Sequence, residues 1–314
     1  MKHIEVVPCD YDWPKLFEQE AGFIREALGD NCIEVHHIGS TSVPGLSAKP
    51  IIDGLIVVKD LKNSVLALES VGYTYRGEMG IPFRSYFRKV IGTNFNLHVY
   101  EEGNSEIELN ILFRNYLRSH PKACQEYADL KKDLLLKKSS YEKGKYKFSG
   151  YNLGKDAFIR KILELVDFNK IRIMSCTHYQ EWEEYHRICE EQIFKPINVV
   201  YDRNYPDFTA DDHYYFVLYK GTKIVCVAHL QFLNEREAAL RSLATDEPYK
   251  KQGFATHMMK LLERWVKQQG RGVLKMHAAL RAEGFYRKLG YAEMEFVDQS
   301  ISKEIIDLGK VLWY

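Results

Sequence analysis

The sequence predicts a mixed α/β (α+β) chain folded as two domains, residues 1–168 and 169–314. Three observations predict this. The length of 314 residues is more than one ordinary core requires. Segments of period 2 and period 3.6 alternate through both halves. At Phe168-Asn169-Lys170 a helical pattern stops, and a new apolar strand, "IRIMS", starts at once.

The first half opens with a helix. Asp12 stands where it could cap it, and Pro14 suits the first turn. Phe17, Ala21, Ile24 and Leu28 share one face, and Gly29 ends the run. A strand is expected over about Cys32 to His37, and a second over about Pro50 to Val58. Between them lies a loop rich in hydroxyl side chains, "GSTSVPGLSAK". A helix over about Leu61 to Ser70 follows. "TNFNLHVYEE" alternates as a half-buried strand does. "EIELNILFRNYLRSH" is expected to begin as a strand and turn helical. "PKACQEYADLKKDLLLKK" and "GKDAFIRKILELVDF" have helical spacing.

The second half begins with a strand, Ile171 to Ser175, and a helix over about Tyr179 to Gln192. "YYFVLYKGTKIVCVAHLQFL" reads as two strands turning at Lys220-Gly221. "EAALRSLATDE" is a further strand. "THMMKLLERWVKQQG" is a helix burying Met258, Leu261, Leu262, Trp265 and Val266, with Gly270 as its stop. "GVLKMHAAL" is a strand, "AEGFYRKLG" a short helix, and "SKEIIDLGKVLWY" contains the last strand.

The formal net charge is +1. Neither half has the basic excess of a general nucleic-acid binder, so that class is not expected. "KKDLLLKKSSYEKGKYKF" is locally basic with interleaved aromatics, and it is expected to be a solvated helix face with its turn. The six cysteines form no C-x-x-C pair and no zinc spacing, so no structural metal is expected. No apolar run reaches the roughly 18 residues of a membrane span. "MKHIEVVPCDYDW" lacks the features of a signal peptide. A cytoplasmic protein without membrane association is expected.

"LATDEPYKKQGFATHMM" places a strand, a short loop and a helix start in sequence. Free amides and the positive dipole end at such a start favour an anion, and small residues let it come close. With "GFYRKLGY" downstream and the closing "EIIDLGKVL", the second half resembles the GNAT family of acyl-CoA N-acyltransferases over about 171–314. The family's pyrophosphate loop reads Gln/Arg-x-x-Gly-x-Gly/Ala. Here the positions are Lys250, Lys251, Gln252, Gly253, Phe254 and Ala255, so Lys replaces the first residue. The resemblance implies acetyl-CoA as cofactor, with its pyrophosphate on the amides from Gln252 to Thr256. It implies that the strand Leu243, Ala244, Thr245 splays from its neighbour to pair with the pantetheine arm. It also implies that Tyr286 returns a proton to the departing CoA thiolate. Direct attack of an amine on the thioester is then expected, without a covalent enzyme intermediate. Glu235, Glu237 and His229 are weighed as bases, and structural roles are preferred for all three. The acceptor stays open among small amines, antibiotics, peptide N-termini and protein lysines.

In the first half, "HIGSTSVPGLSAKPIID", "FRNYLRSHP" and "GKDAFIRKIL" resemble the GrpB family, which has a nucleotidyltransferase-like fold. The wider superfamily presents phosphate to a Gly-Ser turn and holds Mg²⁺ on Asp-x-Asp/Glu of the next strand. Gly39-Ser40 matches the turn and Asp53 the first carboxylate, while Leu55 stands at the second. Glu106 or Glu108, from a later strand, could supply a further carboxylate. One clear carboxylate is too few for a two-metal site. The expectation is a phosphate-, nucleotide- or CoA-precursor-binding domain at Gly39, Ser40, Lys49 and Asp53, with little or no nucleotidyl transfer. An active nucleotidyltransferase, or a chain that only binds ligands and regulates, is the alternative.

Overall fold

In the computed structural model, residues 4–142, 149–298 and 304–312 are described. The chain divides into two compact units, Met1–Arg172 and Ile173–Tyr314. Both are mixed α/β.

The first unit starts with α1, Trp13–Leu28, whose face of Trp13, Phe17, Ala21, Ile24 and Leu28 is buried. Asp12 does not cap it with its side chain, contrary to expectation. It remains the N-cap residue through its carbonyl, which accepts from the Leu16 amide, while its own amide donates to Asp10 Oδ1 at 2.9 Å. Gly29, at φ +50°, closes the helix. Then come β1 (Cys32–Ile38), β2 (Ile51–Val58), α2 (Lys62–Ser70), β3 (Thr74–Tyr75), β4 (Ser85–Ile91) and β5 (Thr93–Glu101). These strands form a five-stranded sheet of order β1-β2-β5-β4-β3, in which only β2 and β5 run parallel. Ile52, Ile56, Phe87, Leu97 and Val99 pack with the α1 face as the main core.

Helices α3 (Ser105–Ser119), α4 (Pro121–Leu135), α5 (Gly150–Leu153) and α6 (Asp156–Leu165) complete the unit. The strand expected at the start of α3 is not there. The Asn104 side chain accepts from the Glu106 amide and caps a helix whose first turn holds Glu106 and Glu108. The basic stretch after it is helical through Leu135, then forms a 3₁₀ turn over Lys138–Tyr141. Its residues 143–148 lie outside those described. One member of the expected solvated face departs from it: Lys131 is 2% exposed.

β6 (Ile171–Ser175) runs across the division at residue 172, and the second unit continues with α7 (Tyr179–Cys189), β7 (His213–Lys220), β8 (Lys223–Phe232), β9 (Glu237–Thr245), α8 (Phe254–Gln268), β10 (Val273–Ala279), α9 (Glu283–Lys288), β11 (Ala292–Glu293) and β12 (Ile305–Val311). They build a seven-stranded sheet of order β11-β12-β10-β9-β8-β7-β6. Helix α7 is shorter than expected, because its i→i+4 ladder slips into a π-turn at Glu190–Phe194. Helix α8 buries Phe254, Met258, Met259, Leu262, Trp265 and Val266, with Trp265 against Tyr214, Phe216 and Phe232. Among the described residues no helix is long and apolar enough to cross a membrane.

Candidate functional sites

Strands β9 and β10 are parallel, but they pair only over Glu237–Ala239 and Val273–Lys275. Beyond Ala239, β9 stays with β8 as far as Thr245, and β10 stays with β12 as far as Ala279. The sheet therefore forks. A register shift opposite His229 and Leu230 leaves Arg241 without a paired residue and bends β9 at the fork. Leu243, Ala244 and Thr245 lie on the free arm, whose β10-side backbone groups have no strand partner among the described residues. Such an edge can pair with an extended amide-bearing ligand.

Tyr286, on α9, is 8% exposed. Burial, with Cys226 nearby, raises its phenol well above the ordinary range. Cys226 also receives the Thr245 hydroxyl at 3.6 Å. Cys226 thus contacts the end of the free arm through Thr245 and influences Tyr286 electrostatically.

The arm runs into the expected anion loop. Asp246 caps the turn Glu247–Tyr249 and is gripped by Arg187 of α7 through two bonds of 3.0 and 2.9 Å. Lys250 pairs with Glu247, and the Gln252 side chain donates to the Pro248 carbonyl. Lys251, at φ +61°, and Gly253, at φ +85°, are both left-handed. This turns the chain sharply into α8. The first amide with a backbone partner is that of His257, which donates to the Gly253 carbonyl. Among the described residues, the amides of 251–256 donate to no backbone carbonyl. Together with the helix dipole these free amides favour an anion.

The weighed bases occupy different places. Glu235 is exposed in the turn before β9. Glu237 forms an ion pair with Lys275 at 2.8 Å at the closed end of the fork. There it lines a cavity of about 430 Å³ with Leu233, Glu295, Phe296 and Asp298. His229 stacks on Tyr215 and lies 2.7 Å from His213 Nδ1.

In the first unit, β1 pairs with β2 so that Ile38 faces Asp53. Gly39 follows at φ +69°, and a Cβ there would lie 2.6 Å from Asp53 Oδ2. Glycine is needed for the turn and for the close approach of this carboxylate. Ser40 begins a 3₁₀ turn through Ser42. The motif arginines brace this loop: Arg114 donates to the His37 carbonyl, and Arg118 donates twice to that of Ser42. Asp53 accepts from Asn96 at 3.0 Å, and His98 lies 3.8 Å away. Burial opposes its charge, but His98, Asn96 and Lys155 hold its carboxyl below the usual range.

Three lysines gather at this turn. Lys131 of α4 donates to Ser40 Oγ at 3.2 Å and to the Ser47 carbonyl. Lys49 and Lys155 both lie over the Tyr151 ring, at 4.1 and 5.0 Å. Of these only Lys49 was expected. Lys155 lies in the quoted motif "GKDAFIRKIL", and nothing in the local pattern marked it as cationic ligand rather than helix surface. Burial, with Lys155 adding repulsion, pushes Lys131 down to about 7. Burial and Lys49 push Lys155 down to about 8, with Asp53 opposing.

The carboxylates fit a magnesium site poorly. Leu55 is fully buried in the core. Glu106, expected on a strand, sits on α3 beside Arg172 at 3.4 Å, and Glu108 is paired with Lys170 at 3.2 Å. Among the described residues no three His, Cys, Asp or Glu side chains converge as a metal-binding group.

Residues 3–165 match the GrpB protein family, and residues 176–291 match the acetyltransferase (GNAT) family. The UPF0157 protein YqkA of Bacillus subtilis is 42% identical over 139 residues, 42% of this chain and 40% of its own length. The match thus spans about two-fifths of that relative. The crystal structure of the conserved protein GrpB from Enterococcus faecalis is 39% identical, covers 50% of this chain and 94% of its own, and has a TM-score of 0.44. That of the ribosomal-protein-S18-alanine N-acetyltransferase from Escherichia coli is 17% identical, covers 46% and 94%, and has a TM-score of 0.38. The GNAT match supports acetyltransferase activity in general. With more than half its length matched to that family, the chain belongs to the GrpB proteins and carries a GNAT domain in its second half.

Proposed function

We propose that the second unit transfers the acetyl group of acetyl-CoA to an amine in the cytoplasm. The observation that carries this is the fork between β9 and β10, whose free arm leads directly into the loop of unpaired amides at α8. Acetyl-CoA, when bound, supplies an acetyl thioester. The amides of 251–256 hold its pyrophosphate, and the β9 arm from Leu243 to Thr245 orients its amide-bearing chain. The Tyr286 hydroxyl, protonated at neutral pH as a phenol is, would return a proton to the departing thiolate. Arg187 keeps the loop in place through Asp246. The test is CoA release from acetyl-CoA with a panel of small amines, polyamines, aminoglycosides and peptides. Turnover with at least one class, abolished by Gly253→Glu, is expected. A wild-type chain that binds no CoA in calorimetry would end the proposal.

A second reading concerns the first unit, and the lysines around Ser40 favour it. We infer that this unit binds a phosphate-bearing ligand at the Gly39-Ser40 turn and carries out little nucleotidyl transfer. Nucleoside triphosphates with Mg²⁺ are expected to release no pyrophosphate above background. Release that depends on Asp53 would make the unit an active transferase instead.

A further inference from the structure

We propose that the lysine cluster at the Ser40 turn binds a polyphosphate chain without a divalent cation, with Lys49, Lys131 and Lys155 supplying the positive charge. The proposal rests on the second reading above and names its ligand chemistry. The three lysines come from separate places in the chain: the loop before β2, helix α4 and the N-cap residue of α6. They still meet around Ser40 and Tyr151. Among the described residues, none of the three has a carboxylate within ion-pair distance. Asp53 is the acid whose charge Lys49 and Lys155 feel, and it is already engaged by Asn96 and His98.

Burying cations without counter-charge is unfavourable, and the unfavourable term disappears when an anion enters. The depressed Lys131 and Lys155 are the mark of that unfavourable state. Three separate ammonium groups and one hydroxyl suit an extended polyanion better than a single phosphate. A magnesium ion in the same place would meet one carboxylate and three like charges. Magnesium needs several converging oxygens to give up its waters. The lysines therefore occupy the electrostatic role that a metal would otherwise fill.

The experiment is calorimetry on the full chain with inorganic tripolyphosphate, first in EDTA and then with excess Mg²⁺. A Gly253→Glu background removes the contribution of the α8 loop. Binding in EDTA, not strengthened by Mg²⁺, is expected. Lys131→Met and Lys155→Met should each weaken it at least roughly tenfold, the scale of one lost charge-assisted hydrogen bond, while Lys131→Arg should retain part of it. Far-UV circular dichroism and melting establish that each variant is folded. Binding seen only with Mg²⁺ would overturn the inference and leave the second reading standing. No binding in either condition would overturn both. Binding untouched by both Met variants would place the anion elsewhere and overturn the inference.

Discussion

Tyr286 and Lys131 are both buried titratable groups, and burial acts on them in opposite senses. It pushes the phenol's pKa up and drives the ammonium toward neutrality. Tyr286→Phe should lower kcat for acetyl transfer by roughly 10²–10⁴-fold, the scale of general acid catalysis, with CoA affinity little changed. A kcat left intact, with chemistry shown to be rate-limiting, would take the proton role away from Tyr286. Lys131 makes a prediction in pH. It faces Lys155, Cys124, Tyr127, the Ser40 hydroxyl and the Ser47 carbonyl. Its folded value of about 7 lies below the 10.5 of a free lysine. A bound polyanion favours the charged form, so above pH 7 binding must take up a proton, and affinity is lost as pH rises. The ratio of tripolyphosphate affinities, wild type over Lys131→Met, should fall from pH 6 to pH 9; the probe's own titration cancels in that ratio. A ratio constant with pH would mean that Lys131 does not titrate against the ligand. The sequence makes Ser40, Asp53 and Tyr286 legible because their neighbours form quotable motifs. Lys131 is hidden, since one lysine among several on an amphipathic helix looks like solvated surface until packing turns it inward.

The strand β9, the turn after it and α8 act as one device, and its stiffness comes from α7. Arg187 holds Asp246 at two points and is itself flanked by Glu184 and Glu191. Without it, Asp246 would still cap the turn, but the approach of the loop to α8 would be less fixed. Arg187→Ala should raise the KM for acetyl-CoA by roughly three- to tenfold with kcat nearly unchanged. This is below the full worth of a charge-assisted pair because the arginine is partly exposed. A fall in kcat at unchanged KM would instead put Arg187 in the chemical step. Local signals locate this device in the sequence: a glycine before a helix, then an apolar stripe of period 3.6. They fail elsewhere. The first residues of α3 alternate like a strand, yet Asn104 and two acids in the first turn make a helix start. Strand β4 carries Arg88 and Lys89 within its run, and residues 71–92 show no clear period in the sequence. It pairs with β5 as a hairpin turning at Gly92, at φ +67°, and the charged residues within its run hide the alternation that would mark it as a strand.

At the scale of the whole chain, each unit has its own core. In the first, Phe17, Ile24, Ile52 and Leu97 are at most 1% exposed; in the second, Phe216, Leu230, Met258 and Leu262 are fully buried. The stop of a helical pattern and the immediate start of a strand are the trace of this division that the sequence carries. Cores that close separately predict separate unfolding. Calorimetric scans should show two transitions, and each ligand should move one of them. A ligand at a hundred times its Kd stabilises the unit that binds it by about 2.7 kcal/mol. For a unit of this size that is a rise of roughly 5–10 °C in its transition. CoA should shift the transition lost or lowered in a Trp265→Ala variant, which damages the second core. Tripolyphosphate in EDTA should shift the other, which Phe17→Ala lowers. Large-to-small changes of this kind cost about 3–5 kcal/mol, enough to assign each transition. A single transition moved by both ligands would show that the two units unfold together. Tripolyphosphate acting on the Trp265-sensitive transition, in a chain carrying Gly253→Glu, would place its site in the second unit and not at Ser40.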